Sequence, residues 1–242
     1  MQAKKAKKLG LVLGLSLGGL TYLLSLAFFI YCGTYYGAEP KAIALCENED
    51  SHGDIIFASS STPKAGFIFY PGAKVDERAY APLAKDLSDQ GVYTVIAKMP
   101  FHLAFFDPGA MGRIAAENPK VSAWYLGGHS LGGAMAASYL YDHLEAYRGL
   151  ALLGSYSTVD LTASSAFKTA TIYGSEDQVL NRSNYQENLK NLPANNVETV
   201  IAGGNHGQFG DYGVQPGDGQ ASISPLKQQE ETAAAILELI AR

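Results

Sequence analysis

Gly128-His129-Ser130-Leu131-Gly132 reads G-x-S-x-G, a spacing that sets a serine hydroxyl on a sharp turn between a strand and a helix. Small residues are needed on both sides because strand and helix approach closely there, and Gly133, Ala134 and Ala136 continue the small run. On such a turn the Leu131 N–H faces the oxygen that gains charge when the hydroxyl attacks a carbonyl. A phosphate loop would want Gly-x-Gly-x-x-Gly or a following Lys-Ser/Thr, and the sequence has neither here.

A serine hydroxyl is a weak nucleophile at neutral pH and needs a base, which in turn needs an orienting carboxylate. After a serine on this kind of turn, the acid precedes the histidine along the chain. Only His143 and His206 follow Ser130. His143 falls inside the helix expected after the serine and reads as a surface residue. His206 follows the turn Gly203-Gly204-Asn205, where a loop can bring an imidazole over the serine. Asp177, in Gly174-Ser175-Glu176-Asp177, is the favoured acid, with Glu176 its rival and Asp160 and Asp211 more distant candidates. A second backbone donor is expected from Tyr70-Pro71-Gly72-Ala73, at the Ala73 N–H. Lys74 comes next and either attracts an acidic substrate or is simply solvated. Phe101, His102 and Phe105 either line an apolar acyl or alcohol pocket or belong to the core. The 207–219 run contains Asp211 and Asp218 without calcium-loop spacing, so no metal is assigned and no cofactor is needed.

These residues need a scaffold that places several loops at one edge. Apolar runs at Ala65–Tyr70, Val92–Ala97, Val121–Leu126, Gly149–Leu153, Lys168–Tyr173 and Val197–Ile201 read as strands. Helices are expected from Asp76 to Gly91, near Ala110–Asn118, over Leu131–Leu144, around Asn184–Leu192, and after the Ser224-Pro225 start signal. In the last of these Ala233, Ile236, Leu237 and Ile240 face inward. Alternation of this kind implies a mostly parallel sheet with helices on both faces. In such sheets ligands bind beyond the carboxyl ends of the strands, and every candidate above follows a predicted strand. About 14 residues separate Leu153 from Lys168, too few for a cap domain, so the cleft should be open.

The chain has 242 residues, 47% of them apolar, and a net charge of −5, which argues against disorder and against nucleic acid as a partner. Charge is unevenly spread: residues 1–32 carry +4 from Lys4, Lys5, Lys7 and Lys8, and the remainder carries −9. No charge occurs from Leu9 to Cys32, a length that spans the hydrocarbon core as a helix. The division expected is therefore a basic cytoplasmic flank (1–8), a transmembrane signal-anchor (9–32), a tether with room for one edge strand (33–53) and a folded domain (54–242). A basic flank stays cytoplasmic, which puts the folded domain outside the cell membrane. Secretion after signal cleavage is the competing reading. It suffers from the length of the apolar run and from Tyr36 in the only nearby cleavage-like site. Cys32 is also a poor lipoprotein site, because bulky residues precede it. Gly10, Gly14 and Gly18 share one helix face, which allows close pairing with a second helix or reflects the frequency of glycine in membrane helices. Cys32 and Cys46 either pair or remain thiols.

Taken together, four segments carry a resemblance. They are Tyr70-Pro71-Gly72-Ala73-Lys74-Val75-Asp76, Gly127-Gly128-His129-Ser130-Leu131-Gly132-Gly133, Tyr173-Gly174-Ser175-Glu176-Asp177, and Gly203-Gly204-Asn205-His206-Gly207-Gln208-Phe209-Gly210. From about Asp54 onward the chain resembles the α/β-hydrolase superfamily, in the small cap-less branch related to dienelactone hydrolases. The resemblance implies an α/β-hydrolase fold, a Ser130–Asp177–His206 triad, and backbone donors at Ala73 and Leu131. Dienelactone hydrolases use a cysteine nucleophile where this chain has serine, which puts lactone specificity in doubt. The function expected is a membrane-anchored serine hydrolase of small-molecule carboxylic esters, with thioesters or lactones as further substrates. The alternatives are an acyltransferase with the same triad and a non-catalytic binding module that retains the fold.

Overall fold

A computed structural model describes residues 2–59, 63 and 65–242, with side chains in the first helix described from residue 16 onward. The chain divides into two compact units, residues 1–35 and 36–242.

The first unit is a single helix, α1 (Gln2–Gly33). Its segment Ser16–Gly33 is long and apolar enough to cross a membrane by length and composition. Leu17, Leu20, Leu23, Leu24, Phe29 and Ile30 all stand exposed. Thr21 satisfies its hydroxyl on the Leu17 carbonyl one turn back (2.9 Å). Gly10 and Gly14 lie outside the residues whose surroundings are described; a Cβ placed at Gly18 would meet open space.

The second unit is built on a seven-stranded sheet of order β1-β3-β2-β4-β5-β6-β7. The strands are β1 (Ile55–Phe57), β2 (Ala65–Tyr70), β3 (Val92–Ile96), β4 (Trp124–His129), β5 (Gly149–Leu153), β6 (Lys168–Gly174) and β7 (Val197–Ile201). Only β1 runs antiparallel, pairing Ile55 with Ile96; the other five pairings are parallel. The sheet is covered by α2 (Pro40–Ile43), α3 (Ala81–Asp89), α4 (Ala110–Glu117), α5 (Leu131–Leu140), α6 (Arg182–Asn188) and α7 (Pro225–Ala241). Side chains alternate along a strand, so β2 divides between two cores. Phe67 and Phe69 pack with Leu83 and Leu87 of α3 and Ala233, Ile236 and Leu239 of α7. Ile68 and Tyr70 pack on the other face with Met111 and Ile114 of α4 and Ala136, Ala137 and Leu140 of α5. On α7 the fully inward set includes Leu239, while Leu237 and Ile240 are only partly buried.

The basic flank is helical and continuous with the apolar run in α1, which begins at Gln2. One expected boundary moves. Residues 36–53 are no tether. Tyr36 bridges Val75 in parallel, its N–H donating to the Lys74 carbonyl (2.7 Å) and its carbonyl accepting from Asp76 (2.9 Å). The Glu39 N–H donates to the Asp211 carbonyl (2.8 Å), Ala42 is fully buried, and Leu45 packs against the core. Backbone pairing is invisible to a search for periodicity, and this segment has no period. Asp54, also fully buried, accepts from the Lys98 N–H (2.8 Å) and pairs with Arg113 (2.7 Å). Cys32 and Cys46 are both free thiols, and burial pushes the Cys46 thiol up to about 11.

Candidate active site

Ser130 stands alone between the end of β4 and the start of α5, with φ 53° and ψ −123°. For a residue with a Cβ this left-handed φ costs of order 1–3 kcal/mol and must be held by its surroundings. It is held on both sides: the Ser130 N–H donates to the Leu153 carbonyl (2.9 Å), and its own carbonyl accepts from the Ser155 hydroxyl (2.7 Å) and the Ala134 N–H (3.2 Å). Glycine is required at position 132, where a Cβ would overlap the carbonyl oxygens of Tyr70 and Pro71. The turn therefore presses directly on the loop after β2.

Two further loops meet beside it. Asp177 follows β6 and His206 follows β7; both are buried, and Asp177 Oδ2 lies 2.8 Å from His206 Nδ1. The other carboxylate oxygen, Oδ1, accepts the N–H groups of Val179 (2.9 Å) and Leu180 (2.8 Å). The loops are laced by the Glu176 N–H on the Gly204 carbonyl (2.8 Å) and the Gly203 N–H on the Ser175 hydroxyl (2.8 Å). Gly154 lies against this pair at φ 51°, where a Cβ would come within 2.8 Å of His206 Nδ1. The other ring nitrogen of His206, Nε2, is buried and has no hydrogen-bond partner among the described residues. His206 and Ser130 line one open cleft of about 320 Å³, together with Leu131, Tyr156, Val179 and Leu180. A buried imidazole with one nitrogen fixed on a carboxylate and the other free is arranged to take a proton from a hydroxyl in that cleft.

The rival acids lie elsewhere. Glu176 is exposed and accepts from the Ser175 hydroxyl (2.8 Å); Asp160 caps Thr162 (2.8 Å); Asp211 binds Gln229 (3.1 Å) and Lys41 (3.2 Å). His143 is exposed and stacked on Tyr139. The Ala73 and Leu131 N–H groups make no hydrogen bond among the described residues.

The expected pocket residues are not brought to the cleft. Among the described residues, Lys74, Phe101, His102 and Phe105 are all missing from its lining. In the loop after β3, Met99 and Leu103 take the buried positions, which leaves Phe101 and Phe105 at 45% and 48% exposure. His102 turns to Glu77 (3.2 Å), and Lys74 is fixed by its backbone to the His102 carbonyl (2.7 Å). No group of His, Cys, Asp and Glu among the described residues could hold a metal ion.

Sequence reasoning missed a buried hydrogen-bonded chain beneath the site. The Gly72 N–H donates to the Tyr80 hydroxyl oxygen (3.0 Å), which lies 2.8 Å from His129 Nδ1. A backbone N–H can only donate, so the Tyr80 oxygen accepts from Gly72 and shares a second hydrogen bond with His129 Nδ1. Burial, then the adjacent His206, hold His129 well below the usual imidazole range, against an opposing pull from the His206 backbone. Its ring centroid is 4.4 Å from that of His206. The only sequence signals were a histidine inside the serine motif and a tyrosine on the inner face of a helix.

The fold is shared widely. Est1E from Butyrivibrio proteoclasticus, solved with ferulic acid bound, superposes with a TM-score of 0.59 at 15% identity over 78% of this chain and 95% of that one. A soluble variant of monoglyceride lipase from Saccharomyces cerevisiae gives 0.58 at 10% identity, over 80% and 93%. An α/β serine hydrolase without lid from Xanthomonas campestris gives 0.52 at 10% identity, over 78% and 91%. No curated protein sequence matches the chain. The model of the alpha/beta hydrolase family matches residues 66–230, a stretch that holds Ser130, Asp177 and His206, and this chain belongs to that family.

Proposed function

We propose that the protein is a membrane-anchored serine hydrolase that cleaves carboxylic esters, with thioesters and lactones within its chemical reach. The observation that carries this reading is a strained Ser130 sharing a cleft with the unpartnered Nε2 of His206, whose Nδ1 is fixed on buried Asp177. Ser130 attacks the acyl carbon as His206 takes its proton, and Asp177 holds the imidazole tautomer and stabilises the imidazolium. The Ala73 and Leu131 N–H groups receive the oxyanion, each worth on the order of 10²-fold or more in rate. His206 then protonates the departing alcohol, and water repeats the sequence on the acyl-enzyme.

The cleft volume of about 320 Å³, with Leu131, Tyr156, Val179 and Leu180 supplying apolar lining, suits a short acyl or aryl group. Between β5 and β6 the chain has no helix or strand, which supports the small cap-less branch of the family. Two of the structural neighbours bear the names of an esterase domain and a monoglyceride lipase, in keeping with ester substrates. Residues 9–32 of α1 serve as the anchor, with Lys4, Lys5, Lys7 and Lys8 on the cytoplasmic side and the hydrolase unit outside.

A fluorophosphonate traps the tetrahedral geometry such a site holds, so it should label the protein at Ser130 alone. Ser130→Ala and His206→Ala should each abolish the label. A folded protein that takes no label at Ser130 would leave a non-catalytic binding module as the better reading.

A further inference from the structure

His206 is flanked by two peptide units, and each is held by a side chain that lies outside the cleft. Gln228, fully buried on α7, accepts the Asn205 N–H on Oε1 (2.9 Å) and donates Nε2 to the Asn205 carbonyl (2.7 Å). One carboxamide thus satisfies both backbone groups of the residue before His206, as a neighbouring strand would. On the far side, Asp218 Oδ2 accepts the Gly207 N–H (2.8 Å). Its Oδ1 accepts the Gln178 N–H (3.3 Å), one residue beyond Asp177. Asp218 therefore ties the histidine loop to the acid loop with a single carboxylate. Asn205 closes the ring by donating Nδ2 to the Gly219 carbonyl (2.7 Å).

We propose that Gln228 and Asp218 are positioning residues, a clamp that keeps His206 Nδ1 on Asp177 and so aims Nε2 into the Ser130 cleft. Loops are the least rigid part of this fold, yet a displacement of about 1 Å at a reacting group can cost about 10²-fold in rate. The two partners act on different peptides. Gln228 fixes the loop to a core helix, and Asp218 fixes it to its neighbour. The kinetic arm of this proposal rests on the esterase reading; the geometric arm does not.

The experiment uses the full chain with Gln228→Met, Gln228→Glu and Asp218→Asn. Gln228→Glu keeps the acceptor for the Asn205 N–H but sets a carboxylate oxygen against the Asn205 carbonyl. The first measurement is the far-downfield proton NMR signal of His206 Nδ1–H, assigned by its loss in Asp177→Asn. It should broaden or vanish in each clamp variant. The second is hydrolysis of p-nitrophenyl acetate. Here kcat should fall about 10- to 100-fold with KM within about twofold, and the fall should disappear when the same substitutions are made on Asp177→Asn. A signal unchanged in folded Asp218→Asn and Gln228→Glu overturns the clamp, as does an equal loss of kcat in both backgrounds. If Gln228→Met does not fold, the other two variants decide. Should Ser130→Ala and His206→Ala leave hydrolysis intact, the esterase reading fails on its own and the NMR signal still decides the clamp.

Discussion

Asp177 uses its two oxygens differently, one on His206 and the other on the Val179 and Leu180 N–H groups. This division fixes how an asparagine would sit. In Asp177→Asn the backbone N–H groups keep the amide oxygen, so the NH₂ faces His206 and drives its proton to Nε2. The ring can then no longer accept from Ser130, and kcat should fall by about 10⁴ with little change in folding, read by steady-state kinetics beside a thermal melt. Glu176→Gln, on an exposed side chain, should stay within about twofold of the parent in the same assay. His129 makes a separate prediction through pH. Its folded pKa lies below its unfolded value near 6.5, so the unfolded chain binds the extra proton. Stability attributable to this group is therefore complete above about pH 6.5 and is lost as pH falls toward the folded value, at about 1.4 kcal/mol per pH unit. Urea titrations of parent and His129→Gln between pH 7 and 5 should show a shallower acid slope in the variant; parallel slopes would remove His129 from the account.

Elements carry the next level of constraint. The start of α5 and the loop after β2 touch backbone to backbone at Gly132, with no side chain between them to yield. Gly132→Ala must push the two apart, which moves the Ala73 N–H away from Ser130. Overpacking of this kind costs about 1–3 kcal/mol, and the loss of esterase activity should exceed what the drop in melting temperature explains. The same contact shows what a sequence can and cannot reveal. The parallel fold and the serine turn are legible because each depends on local residue types: apolar runs ended by glycine, and small residues around Ser130. The end of β4 is not. Apolarity stops at Leu126, but the strand continues through Gly127 and Gly128, which pair with Ala151 and Leu152 by backbone alone. Three-residue β1 is too short to show any period. Tyr80, Asp218 and Gln228 meet the site only through the tertiary fold, so nothing near them in the chain announces it. Phe101 and Phe105 misled for the converse reason, since an aromatic run does not say which members the loop will bury.

At the scale of the molecule, the hydrolase unit begins at Tyr36, which changes what a soluble fragment must contain. A fragment 36–242 should fold and keep the activity of the full chain. A fragment 54–242 loses the Tyr36–Val75 bridge, buried Ala42 and the packing of Leu45. These losses together cost at least about 2 kcal/mol, which corresponds to about 4–8 °C in melting temperature for a domain of this size. Calorimetry on the two fragments checks this, and equal melting temperatures would return residues 36–53 to the role of a tether.

The short link between β5 and β6, which carries no helix or strand, has a consequence for the fate of an acyl group on the proposed nucleophile. On the proposed mechanism, with no helix or strand between β5 and β6 to fold over it, an ester on Ser130 would stand in contact with the surrounding liquid. Partition between hydrolysis and transfer then becomes a race among hydroxyls, decided by concentration rather than by exclusion. Water wins that race in dilute solution. An added alcohol should divert product in proportion to its amount, so that hydrolase and transferase would be two names for one site under different solvents.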